Sequence, residues 1–200
     1  EANLRGADMR GANLTTANLN KASLETANLE SANLTNANLT ESNLGDTTLR
    51  GAILNGANLV GANLLNASLL TAKLNNAKLN DTNLQGVSLN NADLSGANLQ
   101  NADLTKAVLT MANLTRANLT GAKLINAYLF TANLDSANLS NANLTGANLE
   151  NANLRNATLT NSDLSSAILK NANLTQANLT GAIIRDTDLR GTGFSDSSLR

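Results

Sequence analysis

The first twenty residues, 1–20, read EANLR GADMR GANLT TANLN, and the same five-residue frame continues without an insertion to DSSLR at 196–200. We number the positions of each group from first to fifth. The fourth position is Leu except at Met9, Ile184 and Phe194. The second position is Ala, with the exceptions Ser42, Thr47, Thr82, Val87, Ser162, Thr187, Thr192 and Ser197. The third position is most often Asn, so a strict period of five governs the whole chain.

A period of five suits neither regular secondary structure in its straight form. On an α-helix, which turns about 100° per residue, leucines five apart would form no apolar stripe. On a straight strand, an odd period would send successive leucines to opposite faces. Every Leu stays on one side only if the backbone turns a corner every five residues, and four right-angle corners close a coil of twenty. We therefore predict an all-β fold, a quadrilateral parallel β-helix with ten coils of 20 residues.

Charged residues support the twenty-residue coil. Residues twenty apart should stack about 4.8 Å from each other on neighbouring coils, where opposite charges attract. The opposite pairs at this spacing are Glu1 and Lys21, Lys21 and Glu41, Arg5 and Glu25, Arg10 and Glu30, Glu30 and Arg50, Lys73 and Asp93, Asp103 and Lys123, Asp135 and Arg155, and Glu150 and Lys170. Lys170 and Arg190 form the one like-charged pair. The bias vanishes at a spacing of fifteen but not at twenty-five, where diagonal neighbours would meet.

The order of a small residue, Asn or Asp, Leu and two variable residues resembles the pentapeptide-repeat family over all 200 residues. The chain is similar to the long, uninterrupted Ala-Asn-Leu arrays common in cyanobacteria. This resemblance implies a right-handed β-helix, the hand that parallel crossovers nearly always take. We expect a single domain, residues 1–200, cut from a longer chain because the first residue is already in frame. Leucine-rich repeats fit less well, since their leucines are unevenly spaced within 20 to 29 residues.

Composition argues against catalytic chemistry. The chain has no His and no Cys, so it lacks the usual zinc ligands and the His that activates a nucleophile. We therefore predict no enzymatic activity, no cofactor and no metal site. The formal net charge of -1 gives no attraction to nucleic acid or to an anionic membrane, and no apolar run is long enough to span a bilayer. These features predict a soluble, cytoplasmic domain, with any membrane tether elsewhere in the parent protein.

One group of outward positions departs from the Asn pattern. Val108, Tyr128 and Ile168 stand at third positions, and Phe130 follows Tyr128 on the same short strand. Because Leu129 must face the axis, its two neighbours must face solvent. Apolar and aromatic side chains together on a polar surface are typical of a contact site, and packing between coils is the alternative. With two residues at nearby corners, the predicted protein-binding patch comprises Val108, Met111, Ile125, Tyr128 and Phe130.

These features favour a non-enzymatic structural scaffold or protein-interaction module of a larger bacterial protein. Its partner would be another protein or a domain of the parent chain, and exposed strand edges would also allow end-to-end or side-by-side self-association. The resemblance offers an alternative, a DNA-mimicking inhibitor or protector of DNA gyrase or another type II topoisomerase. Duplex DNA carries one charge per about 1.7 Å, so a rod about 48 Å long would need roughly 28 negative charges. The net charge of -1 argues against that alternative.

Overall fold

A computed structural model of the chain describes residues 2–195, and in it each third-position residue pairs with the residue twenty further along. The pairs are parallel bridges that run without a gap from Asn3 with Ser23 to Asn173 with Gly193. Each strand is reduced to this one bridged residue, and residues 2–195 contain no helix. The bridges form four ladders, which we name A to D after their first members, Asn3, Asp8, Asn13 and Asn18. The predicted repeat β-solenoid is confirmed.

Backbone hydrogen bonds explain why five residues suffice for each side of a coil. The third- and fourth-position N–H groups donate to neighbouring coils, for example Leu24 N–H to Asn43 O at 2.7 Å. The first-position N–H also reaches the next coil, as Thr26 N–H does to Gly45 O at 3.0 Å. The second-position N–H closes the corner, as Ala27 N–H does to Leu24 O at 3.0 Å. From Lys21 to Asn178, only the fifth-position N–H is left without a backbone acceptor.

Every corner contains a left-handed residue. The first-position residues from Gly6 to Gly191 have φ between 54° and 71°, and most of them are not glycine. Asn tolerates this region well, but Lys106 and Met111 also adopt it, both with φ of 59°. A left-handed conformation costs an L-residue about 1–2 kcal/mol. This conformational cost is offset because each corner is closed by a hydrogen bond and lies between buried Leu and Ala side chains.

The core is a continuous column of second- and fourth-position side chains. From Ala22 to Leu179 these side chains are at most 1 % exposed. The hydroxyl-bearing exceptions bond to backbone carbonyls; Ser42 Oγ, for example, donates to Leu39 O at 2.7 Å. No buried side-chain polar atom among residues 2–195 lacks a partner. Since each buried Leu contributes about 1.5–3 kcal/mol, the core stabilises all four sides in the same way.

The charge prediction is partly confirmed. Four of the predicted pairs form ion pairs: Arg5 with Glu25 at 3.3 Å, Lys21 with Glu41 at 3.4 Å, Lys123 with Asp103 at 3.8 Å, and Lys170 with Glu150 at 2.9 Å. Glu1 lies outside the described residues, so its pairing with Lys21 stays a prediction.

Within residues 2–195, the other four pairs stand on neighbouring coils as predicted but form no direct ion pair: Arg10 with Glu30, Glu30 with Arg50, Lys73 with Asp93, and Asp135 with Arg155. Nearer groups compete for the charges. Arg10 Nη2 lies 2.7 Å from Asp8 Oδ2 on its own strand. The Asp93 carboxylate accepts hydrogen bonds from Asn75, Ser95 and Asn113 instead of meeting a cation.

Candidate functional site

The third-position side chain supplies the acceptor that the backbone lacks. Asn33 Oδ1 accepts a hydrogen bond from Thr35 N–H at 3.0 Å and from Thr35 Oγ1 at 2.6 Å. Every third-position Asn or Asp between Asn3 and Asp188 accepts the fifth-position N–H of its own group in this way. The contact is an Asx turn, and it completes the backbone hydrogen bonding of each side.

Neighbouring asparagines also bond to each other along three ladders. On ladder A, Asn63 Nδ2 donates to Asn43 Oδ1 at 3.0 Å. On ladder C, Asn153 Nδ2 donates to Asn133 Oδ1 at 3.0 Å, and ladder D has the same kind of contact at 3.3 Å. Such bonds need Asn or Asp in consecutive coils. On ladder B over the described residues, Asp8 and Asn28 alone meet this condition, and no side-chain hydrogen bond joins them. Ladders A, C and D therefore use much of their polar surface for internal bonds.

Ladder B is interrupted over five consecutive coils. Its third positions there are Thr48, Ser68, Ser88, Val108 and Tyr128. These side chains bring no carbonyl oxygen, and no Asx turn forms at the N–H groups of Arg50, Leu70, Asn90, Thr110 and Phe130. The longest comparable run on another ladder, within residues 2–195, is two coils, at Ile53 and Lys73. Ladder B thus presents a column of backbone donors that water or a partner must satisfy.

The predicted patch lies on this interrupted face. Val108 and Tyr128 are bridge partners on adjacent coils, and Met111 N–H donates to Phe130 O at 3.0 Å. Met111 is 61 % exposed, Tyr128 52 % and Phe130 39 %, whereas Leu129 between the rings is fully buried. The inward and outward assignment made from the sequence is therefore correct at this strand. That the patch binds a protein stays a prediction.

A shallow recess of about 470 Å³ opens beside Tyr128. Its lining residues are Lys106, Asn126, Ala127, Tyr128, Gly146, Asn148 and Ile168. Tyr128 and Ile168 stand on either side of the shorter Asn148 along ladder B. Gly146 has no side chain and so leaves one corner of the recess unfilled. A Cβ added there would overlap Asn126 Oδ1. Ile125, the remaining member of the predicted patch, is half-buried and directly precedes Asn126, which lines this recess.

Ile168 and Lys106 belong to this surface but are absent from the predicted patch. Ile168, 38 % exposed, breaks the Asn pattern in the sequence, yet Asn148 separates it from Tyr128 and hides the continuity. The sequence already groups Ile168 with Val108 and Tyr128 at third positions, and the forty-residue spacing places Tyr128 and Ile168 on ladder B. On the same strand as Ile168, Lys170 Nζ donates to Glu150 Oε1 at 2.9 Å, so this part of ladder B also carries an ion pair.

Each end of ladder B carries an Asp and an Arg on one strand. Arg10 donates to both carboxylate oxygens of Asp8, at 2.9 and 2.7 Å, and Arg190 does the same to Asp188 at 2.8 and 2.6 Å. The hydrogen bonds from Arg190 lower the pKa of Asp188 from 3.8 to about 2. Those from Arg10 likewise lower the pKa of Asp8. Both ends therefore expose a fixed pair of opposite charges at neutral pH.

The described part of the chain holds no group of three or more His, Cys, Asp or Glu side chains that could ligate a metal ion. Over the same residues, no helix has the length and apolar character needed to cross a membrane. What ladder B offers chemically is a set of exposed rings and aliphatic side chains beside unpaired backbone donors. Such a surface is suited to binding.

Comparisons with known proteins agree with the repeat. A family model described as pentapeptide repeats matches 8 copies over the segments 1–36, 32–69, 72–110, 97–134, 112–151, 132–171 and 159–196. The crystal structure of HetL, a pentapeptide repeat protein involved in heterocyst differentiation regulation from the cyanobacterium Nostoc sp. strain PCC 7120, is 35 % identical, with a TM-score of 0.58 over 96 % of this chain and 89 % of that chain.

A trypsin-treated variant of QnrB1, a plasmid-mediated fluoroquinolone resistance protein, is 18 % identical, with a TM-score of 0.57 over 88 % of this chain and 89 % of that chain. At this identity the likeness extends to the fold alone. A search of curated proteins returned no match.

Proposed function

The chain belongs to the pentapeptide-repeat family, and from this premise we propose that it is a non-enzymatic scaffold that binds protein through ladder B. The observation that carries the proposal is the change of surface on that ladder. Elsewhere, third-position Asn side chains bond to their own backbone, whereas over five coils of ladder B they are replaced by shorter or apolar residues. HetL, which is described as involved in differentiation regulation, gives the proposal support of a general kind.

The proposed contact site comprises Val108, Met111, Ile125, Tyr128 and Phe130, with Ile168 at its edge. Exposed aromatic side chains gain most when a partner removes them from water, and such residues often dominate binding energy. The neighbouring Thr110 and Phe130 N–H groups add directional donors to the apolar surface. A protein surface with apolar side chains and hydrogen-bond acceptors matches both properties. The face has few cations, so nucleic acid and anionic lipid are poorer matches.

We further propose that residues 1–200 form one domain, a right-handed, four-sided solenoid of ten coils within a larger bacterial protein. The unbroken five-residue frame supports the coil count. The general preference of parallel crossovers supports the hand.

The proposed function is tested by replacing both rings, Tyr128→Ala with Phe130→Ala. A matched control, Thr158→Ala with Thr160→Ala, lies on ladder D, where these side chains also form no Asx turn. Each protein serves as bait in an extract of its source organism, and its melting temperature is measured in parallel. We expect the ring variant alone to lose captured proteins while its melting temperature stays close to that of the wild type.

The opposite result is equally clear. If the ring variant melts several degrees lower and captures the same proteins, the two rings pack between coils and the proposed function is wrong. Equal loss in the control variant would also count against it, because ladder D has no apolar patch.

A further inference from the structure

We propose that ladder B is the surface through which two copies of this chain pack side by side, with parallel axes and coils in register. This contact rests on the proposed function, since a second copy is then the protein that the contact site binds. It is an isologous contact, in which both copies use the same face.

The repeat makes such a face self-complementary. A two-fold axis parallel to the solenoid axis keeps every coil at its own height and reverses the direction of each strand. We place this axis over the column of fourth positions, so that the third position of one copy faces the fifth position of the other in the same group of five. Because both copies have the same twenty-residue bridge spacing, a match made in one coil is repeated in the next.

The charges on ladder B fit this orientation. Asp8 would face Arg10 of the second copy, and each arginine already binds its own Asp through two hydrogen bonds. Asp188 and Arg190 repeat the arrangement at the other end of the face. Each end of the pair would then hold four alternating charges. Between the ends, the facing pairs that include a charged residue are Asn28 with Glu30, Thr48 with Arg50, Asn148 with Glu150, and Ile168 with Lys170, so no like charges meet.

The antiparallel arrangement, with the second copy reversed end for end, has a weaker charge match. Third positions then face third positions, so Arg10 meets Arg190 and Asp8 meets Asp188. Two other pairs would gain opposite charges, Glu30 with Lys170 and Arg50 with Glu150. Charge therefore favours the parallel orientation mainly at the ends of the face, where the antiparallel orientation brings like charges together.

The aromatic residues select the parallel orientation. In that orientation Tyr128 faces Phe130 of the second copy, and symmetry makes this contact twice. In the antiparallel orientation Tyr128 would face Ser68 instead. Paired aromatic rings gain more than the burial of their area alone. Both rings are exposed in the single chain, so the contact requires no rearrangement of the core.

The column of backbone donors also finds acceptors in the parallel pair. Ser68 and Ser88 do not accept from the fifth-position N–H of their own groups. Across the two-fold axis they face Leu70 and Asn90 of the second copy, whose N–H groups lack an Asx turn. Hydroxyls of one copy would thus provide what the Asn side chain provides within the chain on the other ladders.

The recess beside Tyr128 lies on the same contact. Asn148 and Lys106 both line it, and Asn148 faces Glu150 of the second copy. Asn148 Oδ1 is already engaged by its own Glu150 N–H at 2.9 Å, which leaves the amide Nδ2 as the donor. An amide donor and an ammonium group both suit an incoming carboxylate.

The first test is sedimentation velocity of the purified chain between about 1 and 100 μM. We expect a dimer whose dissociation constant rises by at least about 30-fold in the Tyr128→Ala with Phe130→Ala variant. The ladder D control, Thr158→Ala with Thr160→Ala, should leave the dissociation constant unchanged. A chain that stays monomeric over the whole range, or a dimer that is insensitive to the ring variant, overturns the second-copy contact.

The second test fixes the orientation by cross-linking, which is simple because the chain has no Cys. Chains carrying Ser88→Cys are mixed with chains carrying Asn90→Cys under mild oxidation. The parallel pair predicts a mixed disulfide, whereas a Thr158→Cys and Thr160→Cys mixture should give none. Efficient cross-linking of Ser88→Cys with Val108→Cys in its place would show the antiparallel pair and overturn the proposed orientation.

Different results would contradict the proposed function and the second-copy contact. A monomeric wild-type chain whose captured partner depends on Tyr128 would contradict the second-copy contact and support the proposed function. Capture of other proteins that is unaffected by the ring variant would contradict the proposed function.

Discussion

Ladder C and ladder B have the same backbone and the same core beneath them, but their third-position side chains differ in whether they bond to the backbone. Asn133 on ladder C accepts from Asp135 N–H at 3.1 Å and from Asn153 Nδ2 at 3.0 Å, so its carbonyl is fully used. Tyr128 on ladder B leaves Phe130 N–H without this acceptor and exposes a ring. The comparison shows that one side-chain position decides whether a face is closed by its own hydrogen bonds or open to a partner.

The largest effect should lie beneath both faces and be equal on them. Leu129→Ala under ladder B and Leu134→Ala under ladder C each remove a fully buried side chain. We expect each to cost about 2–5 kcal/mol in the free energy of unfolding. Urea denaturation of the two variants at a concentration where the chain is monomeric would measure both. A difference well above 1 kcal/mol would show that the faces differ in their cores as well as at their surfaces.

A smaller effect should separate the third positions. Asn133→Ser removes the Asx turn at Asp135, the bond from Asn153 and the bond that Asn133 Nδ2 donates to Thr115 Oγ1 at 3.0 Å. We expect a loss of about 1–2 kcal/mol in the free energy of unfolding. On ladder B, Ser68→Ala removes no side-chain hydrogen bond within the described residues and should change stability by less than about 0.5 kcal/mol. Equal effects in urea titrations would remove the distinction between the two faces.

The reverse substitution should restore an Asx turn at one position of ladder B. Ser68→Asn gives Leu70 N–H an acceptor of the kind found on ladders A, C and D. We expect a gain of about 0.5–1 kcal/mol and slower hydrogen exchange of the Leu70 amide. Exchange measured by NMR would test this directly, with Ser68→Ala as the control. An unchanged Leu70 exchange rate would mean that the Asx turn cannot form on this ladder.

A modest pH effect should come from the end of ladder B. The pKa of Asp188 is lowered from 3.8 to about 2 by its hydrogen bonds from Arg190. A lowered folded-state pKa stabilises the fold above the unfolded value and loses that contribution as pH falls from about 4 to about 2. We expect wild type and Asp188→Asn to differ in melting temperature at pH 6 and to converge near pH 2. A constant difference across that range would contradict the assigned pKa.

The smallest expected effect concerns DNA gyrase. Neither ladder B nor ladder C carries a run of acidic residues, and the net charge of the chain is -1. We expect micromolar protein to leave gyrase supercoiling unchanged, because its surface cannot compete electrostatically with DNA. Inhibition or protection at lower concentrations in a supercoiling assay would favour the DNA-mimicking alternative.

The sequence predicts the repeating geometry well because one period fixes the core. Leu129 had to face the axis once the corner spacing was known, and both of its neighbours are exposed as expected. The role of Asn was not predictable in the same way. The period shows that Asn recurs, but only the backbone hydrogen bonds show that the fifth-position N–H lacks an acceptor.

Ion pairs were predicted less well because stacking brings several groups within reach of each charge. Arg10 had Glu30 as its expected partner, yet Asp8 on the same strand binds it through two hydrogen bonds. Ile168, although singled out at a third position, was left out of the predicted patch for a related reason. One recess extends over two coils along ladder B, because Asn148 between Tyr128 and Ile168 is the shorter side chain. Pairwise spacing rules do not include such three-residue effects.

The bridge register has a consequence for how such genes can change length. Deleting twenty residues removes one whole coil and leaves each remaining side chain on its own ladder, so the distance between the ends shortens in steps of about 4.8 Å. A deletion of five residues also preserves the frame, but it turns everything downstream by one side. Tyr128 would then follow the line of ladder A rather than ladder B. Changes in repeat number would therefore act in two ways: multiples of twenty residues would change the length of the solenoid, and other multiples of five would turn the exposed rings of ladder B to another side.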